Sequence, residues 1–121
     1  MASAQTILIV EPDSATRELY RRELSGTYHV VCLPDAVQAL PLLHSEHISA
    51  IVVEPARSDS LGWDFVATLK QTPQTRGIPV IICSVLDERR RGMECGARDY
   101  LIKPVLPSHL MATIRKLLTP A

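Results

Sequence analysis

Four short apolar runs each stop on a polar residue. Ile7-Leu8-Ile9-Val10 ends on Glu11, Ala50-Ile51-Val52-Val53 on Glu54, Val80-Ile81-Ile82-Cys83 on Ser84, and Tyr100-Leu101-Ile102 on Lys103-Pro104. Continuous apolar runs of this length suit strands buried on both faces, as in parallel sheets covered by helices. If they are parallel strands of one open sheet, their polar end residues collect at its carboxyl edge, where ligands bind in doubly wound folds.

Between the runs the pattern turns helical. Asp13 or Ser14 can cap a helix through about Leu24, with Leu19, Tyr20 and Leu24 facing inward. Ser25-Gly26 stops it, and His29 to Cys32 forms a further strand. Asp35 caps a helix carrying Val37, Leu40, Leu42 and Leu43, in which Pro41 removes one backbone donor and predicts a kink or a late start. After the turn-rich segment 55–60, a helix from near Gly62 carries Trp63, Phe65, Val66 and Leu69. Ile78 to Cys83 is the fourth strand, and Asp87 to Glu94 reads as a short basic helix ended by Gly96. Asp99 to Ile102 is the fifth strand, and a last helix runs from about Ser108 to Leu118. Five successive βα units imply one α/β domain, a doubly wound parallel five-stranded sheet with helices on both faces. It takes up residues 1–121, with 119–121 as a tail or the start of a linker.

Composition narrows the function. The 121 residues carry 13 basic and 13 acidic side chains, so bulk attraction to nucleic acid or an anionic membrane is not a default role. No apolar run approaches the roughly 20 residues that cross a bilayer. Met1-Ala2-Ser3-Ala4-Gln5 has no signal-peptide pattern, which points to a cytoplasmic location. Cys32, Cys83 and Cys95 lack metal or disulfide spacing and read as reduced thiols. His44 and His47 share a helical face without a third ligand, a weak metal signal. No helix-turn-helix or other DNA-reading segment fits this length, and Glu11-Pro12-Asp13 at a helix start would repel a nucleotide phosphate.

These residues, in this order and spacing, resemble the receiver domain of bacterial response regulators. Ile7-Leu8-Ile9-Val10-Glu11 is similar to that family's first strand, and Glu54 with Gly62-Trp63 to its phosphoacceptor loop. Ile78 to Ser84 is similar to the strand ending in a hydroxyl residue, and Gly96-Ala97-Arg98-Asp99-Tyr100-Leu101-Ile102-Lys103-Pro104 gives the closest match. The resemblance implies a flavodoxin-like fold and a pocket in which an Asp carboxylate accepts a phosphoryl group. In the family, Mg²⁺ and a lysine neutralise the phosphoryl oxygens, and a hydroxyl residue moves together with a switch aromatic. By this likeness Lys103 is the lysine, Ser84 the hydroxyl and Tyr100 the aromatic, and Lys103-Pro104 matches a bond usually held cis. The likeness breaks at Glu54, in place of the phosphoacceptor Asp, and at Pro12, in place of the second metal-binding acid after Glu11. Ser58 also stands where the family has a loop proline.

The extra methylene of Glu54 adds roughly 1.5 Å of reach, and a displacement of ~1 Å can slow in-line transfer about a hundredfold. With a metal ligand lost at Pro12, ordinary phosphorylation at Glu54 is not expected, and Mg²⁺ binding by Glu11 and Glu54 should be weak or lost. Three readings stand. Glu54 imitates the phosphorylated state within reach of Lys103 and Ser84; it forms an inert ion pair with Lys103; or phosphorylation persists, at Glu54 or at Asp59 or Asp13. The segment between Ser84 and Gly96 is shorter than in the family by about one turn, ~3.6 residues, which weakens transfer of the family's dimer mode while leaving a homodimer open. Its Arg89, Arg90 and Arg91 read as a solvated face or as a docking site for an acidic partner. The leading expectation is a degenerate receiver, not an enzyme, that binds a signalling partner (a histidine kinase or an output domain) without phosphate and without a cofactor. The alternative is a working receiver that takes phosphate from a histidine kinase through an altered pocket.

Overall fold

The computed structural model describes residues 5–55 and 61–119. Strands β1 (Thr6–Val10), β2 (His29–Leu33), β3 (Ala50–Val53), β4 (Val80–Ser84) and β5 (Asp99–Ile102) alternate with helices α1 (Ser14–Leu24), α2 (Ala36–Ser45), α3 (Leu61–Gln71), α4 (Arg89–Glu94) and α5 (Pro107–Leu118). All strand pairs are parallel, in the order β2-β1-β3-β4-β5. The order reverses at β1, so the switch-point crevice opens beyond the carboxyl ends of β1 and β3.

The three central strands β1, β3 and β4 are almost wholly buried, as their unbroken apolar runs require. One face packs Leu8, Ile51, Val53 and Ile82 against Phe65, Val66 and Leu69 of α3. The other packs Ile7, Ile9, Val52 and Ile81 against Leu24 of α1 and Leu110 and Ile114 of α5. Cys32, Cys83 and Cys95 are free thiols, and burial raises the Cys83 pKa to about 12, which keeps it protonated and unreactive.

Several local expectations shift. Leu19, expected inward, is 51% exposed on α1, because Tyr20 and Leu24 alone fill that helix's buried face. α2 begins on schedule at Ala36 and continues through Pro41. Val37, whose carbonyl loses its partner there, and Pro41 itself both face solvent, where water can take that bond. β4 starts at Val80, because Pro79 has no N–H to give a ladder. α4 starts at Arg89 rather than Asp87, because the Glu88 N–H is donated at 3.1 Å to the Tyr100 hydroxyl. Gly96 ends that segment with φ of 97°, the left-handed conformation expected of a C-cap glycine.

Asp13 caps α1, its Oδ2 accepting from the Thr16 N–H at 2.9 Å and the Thr16 hydroxyl at 2.6 Å. Those bonds, the hydroxyl's first, hold its carboxyl below the usual value of 3.8. A depressed carboxylate pKa stabilises the fold above the unfolded value and less as pH falls through the folded one. Asp13→Ala is therefore expected to lower the thermal midpoint at neutral pH, with the gap to the parent closing below pH 3.8. A gap unchanged in acid would place the cap's contribution elsewhere.

Candidate functional site

Strand register brings the charged residues together. Val10 lies opposite Val53, and the Glu54 N–H donates to the Val10 carbonyl at 2.9 Å, so Glu11 and Glu54 leave adjacent strands side by side. At β5 the Lys103 N–H donates to the Ser84 carbonyl at 2.7 Å, which fixes the root of the Lys103 side chain. Lys103-Pro104 is cis, as the resemblance implied.

One ammonium closes the site. Lys103 Nζ lies 2.7 Å from Glu11 Oε1 and 2.7 Å from Glu54 Oε1. Glu11 is 2% exposed, and its Oε2 accepts from the Asp13 N–H at 3.0 Å. Burial alone would lower the Lys103 pKa, but its hydrogen bonds to Glu11 and Glu54 outweigh that and hold it above 10.5. Among the described residues, Glu54 Oε2 is buried without a hydrogen-bond partner. Arg17 donates to the carbonyls of Glu11 at 2.7 Å and Pro12 at 3.0 Å, steadying the turn that carries Glu11 and Asp13.

Glu11, Glu54 and Lys103 thus converge as the sequence suggested, but Ser84 does not join them. Its hydroxyl accepts from the Leu86 N–H at 3.2 Å, and the contact with Glu54 that an imitation of the phosphorylated state would use is not made. Tyr100 is 5% exposed. Its hydroxyl donates to the Leu86 carbonyl at 2.6 Å, so Ser84 and Tyr100 grip the same β4–α4 loop. Arg89, Arg90 and Arg91 lie 3.9, 3.3 and 3.6 Å from Asp87, Glu94 and Glu88 respectively, and Arg91 also sits over the Trp63 ring at 4.2 Å. Their charges are largely balanced where they stand. Asp59 and Ser58 lie outside the described residues. Sequence reasoning missed Thr16 and Arg17, although an Asp at a helix start accepts the N–H two or three residues on, which here is that of Thr16.

These residues do not fit the Mg²⁺ ion that the pocket type implies. Mg²⁺ asks for near-octahedral oxygen ligation. Here both Glu11 oxygens and Glu54 Oε1 are engaged, Pro12 brings no carboxylate, and Asp13 turns to Thr16. Among the described residues no group of three or more His, Cys, Asp or Glu is placed to hold a metal.

Acids and a lysine are thus gathered at the switch point of a flavodoxin-like α/β sheet. Residues 7–115 match the family of the response regulator receiver domain. The chain belongs to that family, and so to two-component signalling. It is 34% identical over 116 residues to response regulator MprA of Mycobacterium avium (strain 104), covering 93% of this chain and 50% of that protein. It thus spans about half the length of the curated relatives it matches. A putative response regulator from Chloroflexus aurantiacus J-10-fl superposes with a TM-score of 0.88 at 25% identity, over 96% of this chain and 98% of that one. Chemotaxis response regulator CheY4 of Vibrio cholerae superposes at 0.86 over 96% and 100%, and at 21% identity it speaks for the fold alone. Among the described residues no helix is long and apolar enough to cross a membrane.

Proposed function

We propose that this domain is a phosphorylation-independent protein-interaction module of two-component signalling, without enzymatic activity of its own. The observation that carries the reading is the Lys103 bridge. One ammonium at 2.7 Å from both Glu11 and Glu54 occupies the carboxylates that a metal and a phosphoryl group would otherwise share. A phosphoryl donor approaching Glu54 would meet carboxylates with no divalent ion to offset them, and electrostatic stabilisation is the main resource of phosphoryl transfer. The missing Ser84 contact favours an inert ion pair over a built-in imitation of the phosphorylated state. The partner is a histidine kinase or an output domain, in the cytoplasm.

The test is intact-protein mass after incubation with Mg²⁺ and a small-molecule phosphodonor. The expected result is no adduct on the parent chain and a phosphoryl adduct on the Pro12→Asp/Glu54→Asp double variant. A stoichiometric base-labile adduct on the parent would instead establish a working receiver with an altered pocket.

A further inference from the structure

α2 differs from its neighbours in what it shows to water. α1, α4 and α5 turn charged side chains such as Arg22, Arg90 and Lys116 outward. The ten residues of α2 contain no Asp, Glu, Lys or Arg, and Ala39 is the one that is fully buried. Its outward stripe is Val37, Leu40, Pro41 and His44, spaced i, i+3, i+4 and i+7 along one helical face. All four are exposed, Val37 at 64% and Leu40 at 37%. Beside the stripe lies a cleft of ≈ 120 Å³, lined by Ala36, Val37 and Leu40 of α2 and by Asp64, Phe65 and Thr68 of α3. Asp64 is the charged member of that lining.

Covering such a stripe is favourable by about 25 cal/mol for each Å² of apolar surface removed from water. Where the polar groups sit decides what covers it. The stripe has a carboxylate end, where Asp64 flanks Val37, and an imidazole end at His44. Each end complements the other, so the stripe matches its own reverse. A two-fold axis passing between Leu40 and Pro41, across the helix, sets α2 antiparallel to the α2 of a second copy. Leu40 then lies on the second copy's Pro41, and Val37 on its His44. Each His44 thereby reaches the Asp64 that borders the opposite Val37, and an imidazole has an N–H to donate to a carboxylate in either protonation state. Parallel pairing would set His44 against His44 and bring no imidazole to Asp64.

We infer that α2 is a self-association surface, through which two copies of this chain pair antiparallel by Val37, Leu40, Pro41 and His44 with Asp64 as the polar clasp. The contact is isologous and closes at two copies. One helix and the flank of the next make a small interface, so the dimer is reversible and grows with concentration. The inference goes beyond the proposed function and does not depend on it, since Glu11, Glu54 and Lys103 take no part.

The experiment is sedimentation equilibrium of the full chain across roughly 10 µM to 1 mM, the range in which small interfaces associate. The weight-average mass is expected to rise from that of one chain toward that of two. Leu40→Glu places two carboxylates beside the axis and should hold the protein monomeric. His44→Glu should weaken the dimer about tenfold, because its repulsion with Asp64 occurs twice. The exchange His44→Glu/Asp64→Lys should recover most of that loss. Thermal midpoints close to the parent's establish that the variants fold, and if Leu40→Glu does not, the exposed His44 and Asp64 variants decide. A mass of one chain at every concentration, growth beyond two copies, a dimer that survives Leu40→Glu, or an exchange variant no tighter than His44→Glu would each overturn the inference.

Discussion

Lys103→Met is expected to destabilise the domain by roughly 3–5 kcal/mol at neutral pH, the range for removing one partner of a buried ion pair. For a chain of this size that is a fall in thermal midpoint of about 10 °C or more. Methionine keeps the length and apolar stem of the side chain, so the loss reports the charge. Without the ammonium, Glu11 at 2% exposure and Glu54 with its unpartnered Oε2 face each other as uncompensated buried charges. A companion measurement separates this from a general packing defect. The triple variant Glu11→Gln/Glu54→Gln/Lys103→Met should recover much of the loss, because neutral partners leave no stranded charge. The alkaline limb has its own sign. The Lys103 pKa is raised in the fold, so its contribution is whole below the unfolded value of 10.5 and is lost as pH rises through the higher folded one. A triple variant no more stable than Lys103→Met would refute the electrostatic origin.

The second large effect is expected at Gly92. A Cβ built there would sit 2.7 Å from Tyr100 Cδ2, 3.1 Å from Tyr100 Cε2 and 3.1 Å from Ile82 Cδ1. In most helices Gly→Ala helps by up to about 1 kcal/mol. Here the methyl group would overlap a ring that cannot retreat, since its hydroxyl is tied to Leu86 and Glu88. Overpacking of this kind costs about 1–3 kcal/mol. Gly92→Ala should therefore lower stability in urea unfolding and change the ring environment of Tyr100 in NMR spectra. Gly92→Ala/Tyr100→Leu should be less destabilised than the sum of its single changes. Strict additivity would mean that the ring does yield.

Why these sites could be read from the chain only in part is a matter of range. The strand ends were legible because unbroken apolar runs admit few other readings, and the fold followed from their alternation with capped helices. Glu54 meeting Lys103 could be anticipated from strand ends sharing one edge. That Lys103 would also hold Glu11 could not, because it depends on how far a flexible side chain reaches past β4 and β3 to the end of β1. Ser84 turned to the Leu86 N–H because the loop after β4 offered a nearer partner than the pocket did. Leu19 was misjudged because α1 buries only Tyr20 and Leu24, a narrower stripe than its apolar residues suggested. Arg91 over Trp63 joins residues from different helices, a contact that no local pattern announces.

Tyr100 carries one more consequence. Its hydroxyl is bonded to Leu86 and Glu88 and its ring lies against Gly92, so it braces the β4–α4 loop from the sheet. Under the proposed function, a module whose surface does not change with a chemical mark conveys nothing by its state. It can inform its partner only by how many copies are present. Folding stability then becomes the dial, since a shift of 1–2 kcal/mol can change cellular abundance several-fold. The bonds that hold Tyr100 would set the dose of the signal.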